Sequence, residues 1–400
     1  MKIISAAIVL LVSTLAQAQA ITWHSATTGT DLSAQLQKPD KPVTTKDGTP
    51  LVVYLKNTSV PRLGTEADEP IIHDLLGEGD LVLVVDYAHD ANAVSPKINA
   101  DVLKLRTDLG GKKPTLLADQ KSDQGHIFIL LEGFRLKRNV EFATDGNRVL
   151  AMDVFYPSQP KQPVPSLIEF TCDNANRMGN FSILFCQDSL VEGGQAAGFA
   201  TVMADHPVAP PYKGMDDPMP QVIYRCKAAV RTLRSLSADL HLSGKIGAIG
   251  FSRGGPMAAF LSLTNGQADL EGDGEHKDVS SDVQAALVHG NRYDYTNIGP
   301  DDPMYKRFEQ KWGKQDDNKD KWNAHGPMNF LKGKPVPMFL NTSDKESKEY
   351  QAGLATLDKK LTELGVEHVY QVDPDGRGHK VSSDPKTLAE IYAFFAKYLQ

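Results

Sequence analysis

Ser252 lies in Gly250-Phe251-Ser252-Arg253-Gly254, at the end of one apolar run and directly before a second, Gly255 to Phe260. Strand, sharp turn and helix with a serine at the apex is a pattern that presents a hydroxyl for nucleophilic attack. Glycines on either side let the strand and helix close on the turn, and the hydroxyl is pushed out at the positive end of a helix. The chain has 32 glycines, and at that content Gly-x-Ser-x-Gly arises by chance in about one chain in ten. The flanking strand-to-helix pattern therefore carries the inference, and a Gly-rich turn after a buried strand is the plain alternative.

A serine hydroxyl is a weak nucleophile until a base takes its proton. His379, in Gly376-Arg377-Gly378-His379, follows the apolar stretch Val366–Val372, and the glycines let an imidazole come close to the serine. Other histidines are less well placed: His73 falls in an expected helix, His89 and His206 at other strand ends, and His325 in a charged insertion. For the acid that orients the base, Asn341-Thr342-Ser343-Asp344-Lys345-Glu346 offers two carboxylates. Asp344 is nearer the strand end and has the shorter arm, so it is the expected partner, with Glu346 in reserve; a helix cap is the other task Asp344 could have. A tetrahedral intermediate needs two backbone N–H donors. Arg253, the residue after the nucleophile, supplies one. The second is expected from Thr171-Cys172-Asp173-Asn174, at Cys172 or Asp173.

These residues meet only if the strands before them are neighbours in one sheet. Apolar, Val-rich runs at Leu51–Leu55, Leu81–Val85, Ser166–Phe170, Ala200–Ala204, Ile246–Ile249, Gln284–Val288, Pro337–Leu340 and Val366–Val372 read as buried strands. Helical patterns separate many of them: Ile71–Leu76, a segment near Ala100–Leu109, a helix from Pro220 with Val222, Ile223, Cys226, Ala229, Val230 and Leu233 on one face, Tyr350–Leu364, and Pro385–Leu399. Asn139–Ala143 and Val149–Phe155, joined by Asp145-Gly146-Asn147, read as a hairpin. Alternation of this kind builds a mostly parallel sheet with helices on both faces, and the loops at the carboxyl ends of its strands gather on one edge. Ser252, Asp344 and His379 all fall on that edge. Leu51–Asp86 and Leu167–Asp205 echo each other as strand, loop, helix and strand ending in Asp, either a degenerate repeat or two βαβ units.

Composition narrows the setting. The 400-residue chain carries a net charge of −7, spread along its length. Without a basic stripe, nucleic acid is not an expected partner. Met1-Lys2, an apolar run from Ile3 to Leu15 and small residues through Ala20 predict a signal peptide over residues 1–20, cleaved after Ala18 or Ala20, and a secreted or periplasmic protein. The apolar run is too short for a permanent membrane anchor. Of the three cysteines, Cys172 and Cys186 could pair and leave Cys226 over, or all could be buried thiols; their spacing decides nothing.

The sequence resembles the α/β-hydrolase superfamily, in the esterase/lipase branch that includes feruloyl- and acetyl-xylan-esterase-like enzymes. The likeness runs over about Asn139 to Gln400. It rests on Gly250-Phe251-Ser252-Arg253-Gly254-Gly255, Asp145-Gly146-Asn147-Arg148, Leu270-Glu271-Gly272-Asp273-Gly274 and Gly376-Arg377-Gly378-His379. It implies an α/β-hydrolase fold over residues 134–400, preceded by an N-terminal α/β segment at 21–133. It implies a triad of Ser252, His379 and Asp344, no metal or organic cofactor, and a small-molecule or polysaccharide-linked carboxylic ester as substrate. Thr171-Cys172-Asp173-Asn174 stands where many relatives have His-Gly-Gly-Gly, and Asn341-Thr342-Ser343-Asp344 where His-Gly-x-x-Asp is usual. A serine peptidase on the same fold and a non-catalytic binding protein are the alternative readings. No β-propeller repeat precedes the hydrolase part, which weighs against the prolyl-oligopeptidase type.

Overall fold

The computed structural model describes residues 18–24, 31–43, 49–56, 62–86, 127–146, 148–170, 177, 192–207, 219–296, 298–332, 335–374, 376–380, 382 and 384–400. The strands form two sheets. The first contains β1 (Gln19–His24), β2 (Asp31–Gln37), β3 (Leu51–Lys56), β4 (Leu81–Asp86) and β5 (Ile127–Leu131) in the order β1-β2-β4-β3-β5, with helix α1 (Asp68–Gly77) crossing between the parallel strands β3 and β4. The antiparallel strands β1 and β2 were not expected, although β2 alternates Leu32, Ala34 and Leu36 with polar residues. The helix expected near Ala100–Leu109 lies outside the described residues.

The second sheet has eight strands: β6 (Phe134–Asp145), β7 (Arg148–Pro157), β8 (Val164–Phe170), β9 (Ala200–Ala204), β10 (Leu242–Phe251), β11 (Ala285–His289), β12 (Met338–Ser343) and β13 (His368–Asp373). Their order across the sheet is β13-β12-β11-β10-β8-β9-β7-β6. The β6–β7 hairpin is the expected one, although β6 begins five residues earlier than its apolar pattern suggested. From β9 to β13 all neighbouring strands are parallel, and β7 runs antiparallel to β9. Among the described residues seven α-helices follow β8: α2 (Glu192–Ala196), α3 (Gln221–Ser235), α4 (Gly254–Leu263), α5 (Tyr305–Trp312), α6 (Lys319–Ala324), α7 (Lys348–Glu363) and α8 (Pro385–Leu399).

Alternation along the central strands divides the core. Ala248, Ala286 and Val288 face one side, where they pack with Val222, Ile223 and Leu233 of α3, Phe260 and Leu261 of α4, and Leu354, Leu357 and Leu361 of α7. Ile249, Ala285, Leu287 and Phe339 face the other side and meet Ile391, Phe394, Phe395 and Leu399 of α8. Each such large side chain removed from water contributes about 1.5–3 kcal/mol. A strand buried on both faces cannot slip its register without moving one apolar set into the wrong layer. Register is what aligns Phe251 with His289 across β10–β11, and Ser343 with Asp373 across β12–β13.

Candidate active site

Strand β10 delivers Ser252 and turns at once into α4. Ser252 has φ of +52°, a left-handed conformation that a residue with a side chain adopts at a cost of about 1–2 kcal/mol. The turn around it holds that conformation in place. The Ser252 N–H donates to the His289 carbonyl at 3.2 Å, and its own carbonyl accepts from Gly255 N at 3.0 Å and from Asn291 Nδ2 at 2.7 Å. At Gly250 a Cβ would stand 2.2 Å from the Gly254 carbonyl oxygen, so no other residue fits without opening the turn. Arg253 already has helical dihedrals (φ −61°, ψ −28°), which sets its N–H in the first turn of α4, at the positive end of the helix.

The loop after β13 brings His379 to the serine. Its Nε2 lies 2.8 Å from Ser252 Oγ, and its Nδ1 lies 2.6 Å from Glu346 Oε2. The ring stacks on Phe251, with centroids 5.0 Å apart and planes at 30°, and Tyr350 lies 5.1 Å away on another side. Glu346 is only 1% exposed at its side chain, whereas His379 is 34% exposed. The remaining Glu346 oxygen, Oε1, accepts from Ser347 N at 2.7 Å. Both carboxylate oxygens are thus fixed, and the imidazole is held between an anion and a hydroxyl.

The carboxylate on His379 is therefore that of Glu346, which corrects the expectation of Asp344. Asp344 still continues the parallel ladder beyond β12, its N–H donating to the Asp373 carbonyl at 2.9 Å. Its Oδ1 accepts from Gly376 N at 2.9 Å, so it pins the start of the histidine loop. The chain then turns, with Glu346 N donating to the Ser343 carbonyl at 3.1 Å, and this turn carries the side chain of residue 346 back over the strand ends. The shorter arm that favoured Asp344 counts for less than this change of direction.

Several residues at the site were not singled out by their types and spacing. Gly290, at the end of β11, has φ of +47°, and a Cβ there would lie 2.9 Å from Glu346 Oε2 and 3.0 Å from His379 Cε1. A glycine directly after a strand on the same sheet edge was the signal available for it. Arg377 braces the histidine loop from below: it donates to Asp373 Oδ2 at 2.6 Å, Asn341 Oδ1 at 2.8 Å and the Lys380 carbonyl at 2.8 Å. Asp373 in turn accepts from Asn341 and Thr387. His289 is buried behind the site, 4.9 Å from Phe251 and 6.3 Å from His379. Burial, and then the charges of Arg377 and His379, push its pKa well below the ordinary value, so it stays neutral.

Of the remaining expected site residues, Cys172 and Asp173 lie outside the described residues, as does Cys186. Arg177, just past that stretch, is buried and held by Asp153 on β7, by both carboxylate oxygens of Asp205 and by Asn139. Cys226 is a buried free thiol in α3, and burial raises its pKa. Among the described residues no cluster of three or more His, Cys, Asp or Glu is placed to hold a metal ion.

The strand order, with the serine turn leaving a central strand and the histidine arriving after the edge strand, defines an α/β-hydrolase. The family described as BD-FAE matches residues 152–353, half of the chain, and the protein belongs to this family of α/β-hydrolase-type esterases. By class it is a carboxylic ester hydrolase. The matched stretch holds Ser252, Asp344 and Glu346; His379 lies beyond its end. Among solved structures, a truncated carbohydrate esterase from gut microbiota superposes with a TM-score of 0.54 at 21% identity, over 66% of this chain and 95% of that one. An acetyl ester-xyloside bifunctional hydrolase from Caldicellulosiruptor lactoaceticus gives 0.51 at 18% identity, over 65% and 93%. A thermophilic esterase from Thermogutta terrifontis with propionate bound gives 0.50 at 18%, over 66% and 94%. At such identities the likeness establishes the fold. No curated protein sequence matches the chain significantly.

Proposed function

We propose that the protein is an exported serine esterase in which Ser252 is the nucleophile, His379 the general base and Glu346 the acid that orients it. The observation that carries this reading is the unbroken chain from Ser252 Oγ to His379 Nε2 at 2.8 Å and from His379 Nδ1 to Glu346 Oε2 at 2.6 Å. With Nδ1–H donated to Glu346, Nε2 is left as the acceptor for the serine proton. As Ser252 Oγ bonds to the acyl carbon, that proton passes to Nε2, and Glu346 stabilises the imidazolium. The carbonyl oxygen becomes an anion, for which the Arg253 N–H is one donor. Collapse of the intermediate breaks the ester C–O bond, and His379 returns the proton to the leaving alcohol. Water, activated by the same imidazole, then releases the acid and restores the serine.

Export rests on the signal-peptide pattern of residues 1–20. Cleavage after Ala18 would leave β1 whole, whereas cleavage after Ala20 would remove its first two residues. Among the described residues no helix is long and apolar enough to cross a membrane. Acylated polysaccharides are the substrate class in keeping with two structural relatives, a carbohydrate esterase and an acetyl ester-xyloside bifunctional hydrolase. The test is hydrolysis of p-nitrophenyl acetate together with labelling by a fluorophosphonate probe. Wild-type protein should turn over the ester and take the label at Ser252, and Ser252→Ala should do neither. Turnover undiminished in Ser252→Ala would remove the mechanism; a wild type that neither reacts nor labels would point to a binding protein.

A further inference from the structure

The peptide group between Ser252 and Arg253 has two ends. Its N–H, on Arg253, is the donor assigned to the oxyanion in the reading above. Its carbonyl, on Ser252, accepts from Gly255 N at 3.0 Å and from Asn291 Nδ2 at 2.7 Å. A peptide group is planar and its N–H and C=O point opposite ways, so whatever fixes the carbonyl also fixes the direction of the N–H. The Gly255 bond lies inside the serine turn. Asn291 comes from a different element, two residues past the end of β11.

The Asn291 amide is itself oriented. Its Oδ1 accepts from Arg292 N at 2.7 Å, which leaves Nδ2 as the end that donates to Ser252. The segment around it is held on two sides. The His289 carbonyl accepts from Ser252 N at 3.2 Å, so residues 289 and 291 grip the peptide groups before and after the nucleophile. Helix α7 packs against the segment so closely that a Cβ on Gly353 would lie 2.5 Å from the Asn291 carbonyl oxygen and 3.0 Å from Arg292 Cα. One turn earlier the same helix sets the Tyr350 ring 5.1 Å from that of His379.

The second grip has a distinct use. Rotation of the peptide group after Ser252 would turn the Arg253 N–H aside while leaving Oγ beside His379. The triad would survive and the oxyanion would lose its donor. A carbonyl that accepts a hydrogen bond also polarises its own N–H, which strengthens that N–H as a donor.

We infer that Asn291 is a positioning residue of the oxyanion hole, acting through the Ser252–Arg253 peptide group. The inference rests on the esterase reading of the site and adds a side chain that serves the tetrahedral intermediate rather than substrate binding.

Two variants test it. Asn291→Leu removes both ends of the amide at similar volume. Asn291→Asp keeps the shape and the acceptor for Arg292 N, but an ionised carboxylate cannot donate to the Ser252 carbonyl. The readouts are kcat and KM for p-nitrophenyl acetate, inhibition by a short-chain trifluoromethyl ketone, whose adduct on serine carries an oxyanion, and thermal unfolding. In both variants kcat should fall by about 10–100-fold, short of the loss of about 10²–10³-fold on removing an oxyanion donor outright. KM should stay within about threefold of wild type, and the ketone should lose affinity by about the same factor as kcat. In Asn291→Leu the acid limb of the kcat/KM profile, which reports the His379 base, should stay within about 0.3 pH unit of wild type. If Asn291→Leu does not fold, Asn291→Asp decides. A folded variant with kcat within about threefold of wild type, a loss of turnover with ketone affinity unchanged, or a displaced acid limb overturns the inference, as does failure of both variants to fold. Each of these leaves the esterase reading standing. A wild type that neither hydrolyses the ester nor binds the ketone overturns both.

Discussion

Replacing Glu346 with glutamine separates the two carboxylates offered by the loop after β12. In the folded protein Glu346 Oε2 faces His379 Nδ1 at 2.6 Å, and Oε1 accepts from Ser347 N at 2.7 Å. A glutamine amide keeps the shape and can keep its oxygen on Ser347, which turns its NH2 toward the imidazole. Nδ1 must then accept rather than donate, the ring proton moves to Nε2, and no acceptor remains for the serine hydroxyl. The imidazolium formed during attack also loses its buried counter-charge. A wrong-tautomer substitution of this kind costs about 10⁴-fold in kcat, equivalent to about 5 kcal/mol of barrier. Asp344→Asn removes a charge just two residues away but keeps an oxygen for Gly376 N, so it should change kcat by less than about threefold. The assay is steady-state hydrolysis of p-nitrophenyl acetate by both variants, with thermal unfolding to show that each is folded. If Glu346→Gln stays within tenfold of wild type while Asp344→Asn falls about a thousandfold, the assignment of Glu346 is wrong and Asp344 must move to the histidine during catalysis.

Two further outcomes follow from the surroundings of the same histidine. Gly290→Ala puts a methyl group 2.9 Å from Glu346 Oε2 and 3.0 Å from His379 Cε1 at a φ of +47°; it should lower kcat by about 10–100-fold through displacement of the imidazole, and near-wild-type turnover would show that the glycine is not needed there. His289 bears on stability, because it is neutral in the fold while the unfolded chain takes up a proton below the ordinary value of 6.5. The unfolded state then binds more protons, so its contribution falls by about 1.4 kcal/mol per pH unit as pH drops below about 6.5. Denaturant unfolding between about pH 7 and pH 5 should give a shallower slope for His289→Gln than for wild type, and equal slopes would mean that His289 does titrate in the fold.

Ser252 and His379 were legible because their signals are local. A strand, a glycine-flanked serine and a helix in direct succession leave one sharp turn, and a Gly-rich loop after a late strand leaves one sheet edge. The carboxylate was not legible to the residue, because Asp344 and Glu346 differ only in the direction of a turn that closes through the Ser343 carbonyl. No residue type announces that turn. Gly290 was missed for a related reason: its neighbours, Glu346 and His379, are distant in sequence and meet it only across the ends of three strands. The strands β3, β4 and β8 to β12 were visible as continuous apolar runs, since burial on both faces leaves no polar alternation to confuse them. β1 and β2 pair antiparallel at the outer end of the smaller sheet, and the alternation of Leu32, Ala34 and Leu36 with polar residues along β2 was the signal available for them.

The N-terminal strands also bear on the catalytic sheet, because the two share a core. Along β7, Leu150, Met152 and Val154 pack with α3 on one face, whereas Phe155 points to the opposite face, as does Met203 on β9. Phe155 and Met203, with Phe134 and Leu136 of β6, are buried among Val53, Leu55, Leu83, Phe128 and Leu130 of the five-stranded sheet. The face that α8 covers at β10 to β12 is thus covered at β6, β7 and β9 by strands from the first third of the chain. Polar contacts fix the junction. The buried Tyr54 hydroxyl donates to Asp68 at 2.6 Å and accepts from Gly133 N at 2.9 Å, and Gln195 of α2 accepts from Leu131 N at 3.1 Å. Arg135 of β6 reaches back to Glu66 and Asp74. Only Glu132 and Gly133 separate β5 from β6, which is too short for a flexible tether. The five-stranded sheet therefore supports part of the larger sheet. It packs on β7 and β9, and Asp153 of β7 and Asp205, directly after β9, clamp Arg177.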